Sequence, residues 1–585
     1  GIIAGAKYCQ SYERVNYSRS PVDETGYGNI SYEGTRDRYK VIWSGLLNLA
    51  YSPTPGHQFS ARGLRIQDAQ DQVGYAEGWL SENSGPGGES YHIEWDERSM
   101  TTVQLGGTHE LSRRLKGPKF DWKLFGSDSK AHEPDRKQAD YARRADGTHS
   151  LSENTRSWTD LNEDGRGGRA DFTLPLGALG TTEVKVGVFI EKRERSYRTD
   201  AYWTDTSTVR SPNYWIRVLP VDEIHEPENY GQRKLTFRIK SAFTGEYDGT
   251  HDVEAYYGMA NHAFEVAGNR FRLAGGARVE HSKQHVEAIQ REGDQEPVVS
   301  EIDKMDVLPS VNLTYMPTEW SNVRLGHYVS VNRPELREIA AIKYRDFNED
   351  NTVQGNPDLK RAVIKNFDVR VEAFPSSDEV LAVSYFYKEI ENAIEEKLIP
   401  SSDYRHIRTW FNSDWGHNHG FEIEARKSLG FLGDWFDDVT VSGNYTRAFS
   451  SVEYLYEWRW QDNEGAWHTG REIRTRPLQG QAPWTINLGL KYENSSTGTS
   501  VTLLYNKIAR RLDKVTLDRE DSLWEEPQDL LDIAVTQQLL RILEIKLTGK
   551  NLLEAEKIKT LGDHAAIDTR ETAGRSLSLS LGLKL

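Results

Sequence analysis

The chain has 585 residues, of which 37% are hydrophobic, 28% charged and 11% aromatic, with a net charge of −16 and a mean hydropathy of −0.70. No run reaches the roughly 18 apolar residues that a membrane-spanning helix needs, which excludes a helical membrane protein. The negative charge argues against nucleic acid as a partner, and the single cysteine, Cys9, excludes a disulfide framework. A transmembrane β-barrel stays open, because its interior is polar and each span alternates only weakly.

Apolar residues recur at every second position along the whole chain, which is the period of a β-strand. In chain order, such faces include 41–51, 184–190, 271–279, 381–387, 439–445, 486–492, 501–505 and 543–547. The C-terminus repeats the pattern, since leucine takes every second position from Leu577 to Leu585. Alternation also occurs in soluble sandwiches with one buried face, so it predicts strands without choosing the architecture.

The connections between these strands differ systematically in length. Short ones near 52–57, 113–118, 176–180, 317–320, 375–379 and 495–499 alternate with long polar stretches near 13–36, 73–88, 132–166, 204–245, 284–302, 333–362, 397–416, 457–482, 515–526 and 553–573. Outer-membrane barrels have short periplasmic turns and longer extracellular loops, whereas sandwiches have no such alternation. The pattern predicts an all-β fold: one large, closed, antiparallel transmembrane β-barrel over residues 1–585, with about 20–22 strands.

Seven stretches, in order across residues 331–556, resemble the barrel half of TonB-dependent outer-membrane receptors. They are "VNRPELREIA" (331–340), "GNPDLKRAVIKNFDVRVEAF" (355–374), "VSYFYKEIENAIEE" (383–396), "HGFEIEARKSL" (419–429), "LQGQAPWTINLGLKYE" (478–493), "YNKIARRLDKV" (505–515) and "LTGKNLLEAE" (547–556). The sequence departs from the family pattern in two ways. No TonB box or plug domain is found within 1–585, and the last residue is Leu585, where an aromatic residue is common.

The resemblance implies an outer-membrane active transporter that is not an enzyme. Its long loops would bind a scarce nutrient, such as a siderophore, a glycan or a peptide, and pass it through a plugged lumen. The partners implied are outer-membrane lipid, a plug domain upstream or on a separate chain, and TonB with its inner-membrane energising complex. Two alternatives stay open: a passive porin-like or structural barrel, and a soluble all-β carbohydrate-binding protein.

Aromatic residues crowd the long polar stretches and are the candidate ligand-binding residues. Their rings could stack on a ligand with a large contact area and little entropy cost. The alternative is packing between loops or in an upper aromatic girdle. The candidates are Trp203, Trp215, Tyr404, Trp410, Trp415, Trp458, Trp460 and Trp467.

One segment has the spacing of a calcium loop. In "DLNEDGRGGRAD", Asp160, Asn162 and Asp164 stand at EF-hand positions, and Asp171 stands where a bidentate glutamate would be. The segment also matches a loop-to-strand pattern, and no helices are predicted to flank it. We expect no other cofactor. We also expect no catalysis, because no serine-hydrolase elbow, zinc-protease motif or phosphate-binding glycine loop occurs.

Overall fold

The computed structural model describes residues 1–20, 31–80, 86–111, 117–176, 181–291, 296–346, 351–400, 406–461, 467–516, 522–539, 542–562 and 566–583. They form one sheet whose strands are β1 (Ile2–Arg19), β2 (Ser31–Thr54), β3 (His57–Trp79), β4 (Gly88–Glu110), β5 (Lys119–Arg143), β6 (His149–Leu176), β7 (Thr182–Asp205), β8 (Thr236–Ile239), β9 (Gly245–Val266), β10 (Asn269–Gln290), β11 (Val298–Thr318), β12 (Ser321–Asn332), β13 (Lys343–Asp346), β14 (Asn351–Gln354), β15 (Ala362–Ala373), β16 (Val380–Pro400), β17 (His406–Ser428), β18 (Val439–Gln461), β19 (Trp467–Arg476), β20 (Trp484–Asn494), β21 (Thr499–Ile508), β22 (Arg511–Lys514), β23 (Leu523–Glu525), β24 (Gln528–Leu539), β25 (Leu543–Lys550), β26 (Lys557–Leu561), β27 (Ala566–Thr572) and β28 (Ser576–Leu583).

Within the described ranges, the helical segments are few and short. They are α1 (Val221–Ile224), α2 (Leu336–Ile339) and six 3-10 turns at Thr206–Thr208, Asn213–Val218, Pro227–Asn229, Ser241–Phe243, Gly430–Leu432 and Asp434–Phe436. In the part of the chain that the structure describes, no helix is long and apolar enough to cross a membrane.

Twenty strands follow one another as hydrogen-bonded antiparallel neighbours, and this number matches the lower end of the predicted count. Their order is β1, β2, β3, β4, β5, β6, β7, β9, β10, β11, β12, β15, β16, β17, β18, β20, β21, β24, β25 and β28. We call these twenty strands together the wall. The other strands of the 28-stranded sheet are short segments that extend a long strand or belong to a loop. One of them, β14, runs parallel to its neighbour β17.

The prediction that every long polar stretch is a loop was wrong for several stretches. Residues 132–166 were expected to be a loop, but β5 and β6 run through them and leave only 144–148 as the connection. Much of 13–36 likewise belongs to β1 and β2. The hydrogen bonds between strands join backbone groups and do not depend on the side chains. A strand whose two faces both contact water can therefore form without alternating apolar residues.

The two faces of the sheet differ in chemistry. On β7, Val186 and Ile190 are exposed, whereas the intervening Gly187 lies opposite Asp171, which is buried. We call the face with Val186 the outer face and the face with Asp171 the inner face. The alternation predicted for the C-terminus is confirmed, because Leu577, Leu579 and Leu581 share one exposed face of β28. We call the end of the strands near 55–56 and 375–379 the short-turn end, and the opposite end the long-loop end.

The first strand, β1, pairs with the short strand β27 at the long-loop end. Residues Asn16–Arg19 of β1 pair with Thr569–Thr572 of β27. The following strand, β28, pairs with β25, and no pairing joins β28 to β1 among the described residues. Complete closure of the wall therefore stays a prediction.

The described residues 333–346 and 351–361, which we call the inner loop, pack against the inner face. The side chains of Leu336, Ile339 and Ile342 are fully buried against wall residues that include Tyr247 and Val286. Two long side chains of the wall also hold its backbone: Gln284 Nε2 donates to Pro334 O at 2.7 Å, and Gln290 Oε1 accepts from Lys343 N at 2.6 Å. This buried cluster is a hydrophobic core of the molecule.

Residues 206–244, which we call the outer loop, pack against the opposite face. Their Ile216, Ile224 and Leu235 are buried against Ala139 and Tyr141 of β5 and other wall residues. Ala139 and Tyr141 flank Asp140, which lines a cavity with Arg345 of the inner loop. Because neighbouring residues in a strand point to opposite faces, the outer loop lies on the outer face.

Candidate functional site

A cavity of about 430 Å³ lies between the inner loop and the inner face of the wall at the long-loop end. Strands β4–β7 and β9, with Phe243 at the end of the outer loop, supply one side, and the inner loop supplies the other. The cavity is lined by Glu94, Arg98, Ala131, Glu133, Arg136, Thr155, Ser157, Thr159, Leu161, Tyr197, Thr199, Ala201, Phe243, Tyr247, Arg337, Ile342, Tyr344 and Arg345. Arginines outnumber carboxylates in this lining, although the whole chain is acidic.

The position of the inner loop is set by buried ion pairs at both of its ends. Arg333 Nη1 lies 2.7 Å from Glu280 Oε1, and its Nη2 lies 3.1 Å from Asp306 Oδ2. The second oxygen of Asp306 accepts Arg361 Nη2 at 2.6 Å. One buried carboxylate thus holds the first and last residues of the loop, and charge-assisted pairs of this kind are strong and directional.

The wall side of the cavity carries a fixed negative charge at Glu94. Its Oε1 lies 2.9 Å from Arg136 Nη2, and its Oε2 lies 2.8 Å from His92 Nε2. Glu94 is buried, and both of its carboxylate oxygens have partners on the wall. Arg136 is therefore neutralised by the wall itself.

Arg337 is the arginine of the inner loop that is best placed to meet a ligand. It is exposed, and its guanidinium carbon lies 5.9 Å from the centre of the Trp410 ring. Close to it, Tyr197 stacks on Tyr247 at 5.3 Å and lies 6.2 Å from Tyr344. Guanidinium groups bind carboxylates and other planar anions through paired hydrogen bonds. The cavity therefore combines hydrogen-bond donors that can bind an anion with a group of aromatic rings.

Three of the predicted aromatic residues take different positions around the long-loop end. Trp410 is buried in the core under the inner loop, and its carbonyl accepts a hydrogen bond from Asn356 Nδ2 at 2.9 Å. Trp203 is 37% exposed, and it lies opposite Thr155, which lines the cavity. Trp215 is 51% exposed on the outer loop. Of these three residues, Trp203 is the one that lies on the same face as the cavity and has an accessible ring.

Trp415 lies on the outer face, away from the cavity. It alternates along β17 in step with Phe421 and Ile423, which are exposed apolar residues of that face. Its ring is 5.4 Å from His417, which is 5.7 Å from His419. This row of rings has the position of an aromatic girdle, the alternative that the sequence leaves open for these residues.

The remaining aromatic candidates cannot be placed by their side chains. Tyr404 lies outside the described residues. The backbone of Trp458 and Trp460 belongs to β18, and that of Trp467 begins β19, where it pairs with Gln461. The side chains of these three tryptophans lie outside the described part of the structure.

The residues proposed for calcium do not form a loop. Asp160, Asn162, Asp164 and Asp171 all lie on the extended strand β6, so the backbone cannot wrap around an ion. The positions of Asp160 and Asp171 on the strand differ by an odd number, so their side chains point to opposite faces. Asp171 instead lies 3.5 Å from Lys185 Nζ and accepts a hydrogen bond from Tyr257. Within the described ranges, no group of three or more His, Cys, Asp or Glu side chains is arranged to hold a metal ion.

Sequence reasoning missed the arginines and tyrosines of the cavity. Arg337 lies inside the stretch "VNRPELREIA", and Tyr344 and Arg345 follow it within eight residues. Their signal was a basic and aromatic segment directly after an arginine-proline turn. It could not be interpreted without knowing that the loop folds inward.

The sequence matches the family described as "TonB dependent receptor-like, beta-barrel" over residues 50–552. No curated protein matches it.

Solved structures give a likeness of fold. The ferric-catecholate import receptor Fiu from K12 E. coli has a TM-score of 0.54 at 13% identity, with 98% of this chain and 81% of that chain covered. The siderophore receptor PiuA from Acinetobacter baumannii has a TM-score of 0.54 at 12% identity, with the same shares covered. The copper transporter OprC has a TM-score of 0.54 at 11% identity, with 98% and 80% covered.

Proposed function

Because the chain belongs to the TonB-dependent receptor-like β-barrel family, we propose that it forms a closed barrel in the outer membrane and imports a negatively charged nutrient. The ligand is a small anionic molecule of the siderophore, glycan or peptide classes. The proposed negative charge of the ligand is supported by the arginine-lined cavity between the inner loop and the wall. The inner face would then be the lumen.

Placement in the membrane is supported by the outer face. Large apolar residues are exposed there on strands spread across the sheet, including Leu47, Val186, Val307, Leu381 and Leu488. Exposed apolar area costs roughly 25 cal/mol per Å² in water, and lipid removes that cost. The inner face carries buried charged pairs such as Arg333 with Glu280, and a polar interior is typical of a transmembrane barrel.

The cavity supports recognition of an anion. Arg337 is exposed at its edge, and Arg136 is already neutralised by Glu94. A ligand with carboxylate, catecholate or phosphate oxygens would complete the hydrogen bonding of the Arg337 guanidinium. Trp203 would offer a ring at the rim of the same cavity, as the aromatic content of the loops predicts.

Transport would use the partners that the family implies. A plug domain, upstream or on a separate chain, would close the lumen, and TonB would supply energy from the inner membrane. The passive-barrel alternative makes the opposite prediction for energy use. Uptake by intact cells should stop when TonB is removed, while ligand binding should persist. Uptake that continues without TonB would support the passive barrel.

The test of ligand charge is binding by the full-length protein purified from outer membranes. The probes are a trianionic ferric tris-catecholate and a neutral ferric trihydroxamate of similar size. Arg337→Gln should weaken tris-catecholate binding roughly tenfold, because a hydrogen bond to a charged group contributes about 1.5–3 kcal/mol. Binding of the neutral chelate should change little.

Lys192→Gln is the matched control, since it removes an exposed positive charge from β7 that pairs with Glu194 rather than facing the cavity. Unchanged binding of the anionic probe by the Arg337 variant would contradict the proposal. So would an equal loss with both probes.

A further inference from the structure

One turn at the short-turn end carries a cluster of exposed apolar side chains. Between β17 and β18, two 3-10 turns at Gly430–Leu432 and Asp434–Phe436 present Phe431, Leu432, Trp435 and Phe436 to the surface. Trp435 is 93% exposed. The turn at 375–379 at the same end reads "PSSDE" and is polar. A contiguous exposed apolar cluster of this kind marks an interaction surface.

The backbone of the turn holds these side chains outward. Leu429 N donates to Val439 O at 2.9 Å and closes the hairpin, and Leu432 N donates to Leu429 O at 2.9 Å. Phe436 N donates to Gly433 O at 2.8 Å, and Gly433 has a φ of 130°, a conformation that favours glycine. The exposed display is therefore part of a hydrogen-bonded turn.

Lys427 shows which side of the wall the turn faces. It lies opposite Val441 and shares the outer face with Ile423. Both Val441 and Ile423 belong to the exposed apolar surface. Its ammonium nitrogen is 5.5 Å from the centre of the Phe431 ring and 2.7 Å from Glu379 Oε1. Phe431 thus lies beside the outer face, and the apolar surface of the turn continues that of the wall.

We infer that residues 429–436 form an interfacial anchor that inserts Phe431, Leu432 and Trp435 into the periplasmic leaflet of the bilayer around the barrel. The inference rests on the proposed placement in the outer membrane. Tryptophan prefers the boundary between headgroups and acyl chains. Lys427 keeps its charge at that boundary and its stem along the apolar surface. The partner of the turn is phospholipid.

The test measures the depth of a spin label in phosphatidylcholine bilayers. Cys9 is the only cysteine, so a Cys9→Ser background leaves each introduced cysteine as the single labelling site. Trp435→Cys should give a nitroxide that is more accessible to oxygen than to a water-soluble nickel chelate. Ser377→Cys, in the polar turn at the same end, is the matched control and should show the reverse preference.

A third label separates failure of the inference from failure of the proposed function. Val186→Cys lies on the outer face of β7 and should be protected from nickel in any barrel that spans the bilayer. If the label at 186 is protected while the label at 435 is as exposed to nickel as the label at 377, the anchor is overturned and the barrel stands. Exposure of the label at 186 would overturn the membrane placement itself.

Discussion

The inner loop (333–361) and the outer loop (206–244) leave the same end of the wall and fold onto opposite faces. The inner loop is held by buried charge, with Asp306 shared between Arg333 and Arg361. The outer loop is held by apolar packing of Ile216, Ile224 and Leu235. Both cover the ends of long strands, but the inner loop supplies Arg337, Tyr344 and Arg345 to the arginine-lined cavity, whereas the outer loop supplies Phe243.

The difference follows from what each face of the wall offers. The inner face carries carboxylates, so an arginine at each end of a loop finds a partner there. At the long-loop end, the outer face of β5 and β6 offers Ala139, Tyr141 and Leu151. A loop with matching apolar residues can cover them and remove their exposure to water. Ion pairs are directional and fix one position, which suits a loop that shapes a binding cavity.

The largest expected effect comes from breaking the charge that holds the inner loop. Asp306→Asn should cost roughly 3–5 kcal/mol of loop docking, because it leaves Arg333 and Arg361 buried without their shared carboxylate. Hydrogen exchange should rise across 333–361 while the outer loop keeps its protection. Asp303→Asn, on the exposed face of the same strand and paired with His281, should change exchange little. Equal effects of the two changes would show that the inner loop is held by packing alone.

The corresponding change in the outer loop removes a fully buried apolar side chain. Ile216→Ala should destabilise docking by about 2–4 kcal/mol, through lost burial and the cavity left behind. Limited proteolysis should then cut within 206–244 faster, with no change at 333–361 and no loss of probe binding. Val218→Ala is the control, because Val218 is exposed in the same 3-10 segment. Faster cleavage of both loops would mean that they are coupled through the wall.

Acid should loosen the outer loop. Burial, with smaller contributions from Arg156 and Lys137, lowers the pKa of His225 to about 4. An undocked loop would bind a proton near the ordinary value of about 6.5, so between pH 6.5 and 4 protons favour undocking and docking weakens as pH falls. Proteolysis within 206–244 should accelerate roughly twentyfold between pH 7 and pH 5. His225→Gln should remove most of this dependence, and an unchanged pH profile in that variant would assign the effect to another group.

The smallest expected effect concerns the exposed ring of the outer loop. Trp215→Ala should leave loop docking within about 0.5 kcal/mol of the native value, since the ring is half exposed. If the outer loop also contacts the ligand, as the aromatic content predicts, binding of the ferric tris-catecholate should weaken several-fold, by about 1 kcal/mol. Isothermal titration with the variant measures this. Unchanged affinity would restrict ligand contact to the inner loop and the wall.

Much of the wall was predictable because strand periodicity is local. The alternation at 184–190 and at 577–581 correctly identified strands and their two faces. The length of β5 and β6 was not predictable from the same signal. Beyond the part of the wall that exposes apolar residues, both faces of a strand contact water. A polar strand there has the same composition as a polar loop.

The candidate site was predicted only in part, because its residues meet through tertiary contacts. Trp203 lies at the long-loop end of β7, but nothing local separates it from Trp410, which is buried, or Trp415, which lies on the outer face. The residues with calcium-loop spacing do not form a loop, for a related reason. Spacing implies a site only if the chain turns, and here Asp160 to Asp171 runs straight through a strand.

The sequence alone determined the all-β class, the alternation of wall faces and the resemblance to a receptor family, because each is written in residue order. The tertiary structure decided which loop folds inward and which folds outward. That choice depends on partners far away in the chain: Asp306 and Glu280 for Arg333, and Tyr141 and Leu151 for the apolar residues of the outer loop. Since buried charges require opposite charges and apolar side chains require apolar surface, the wall selects the loop that fits each face.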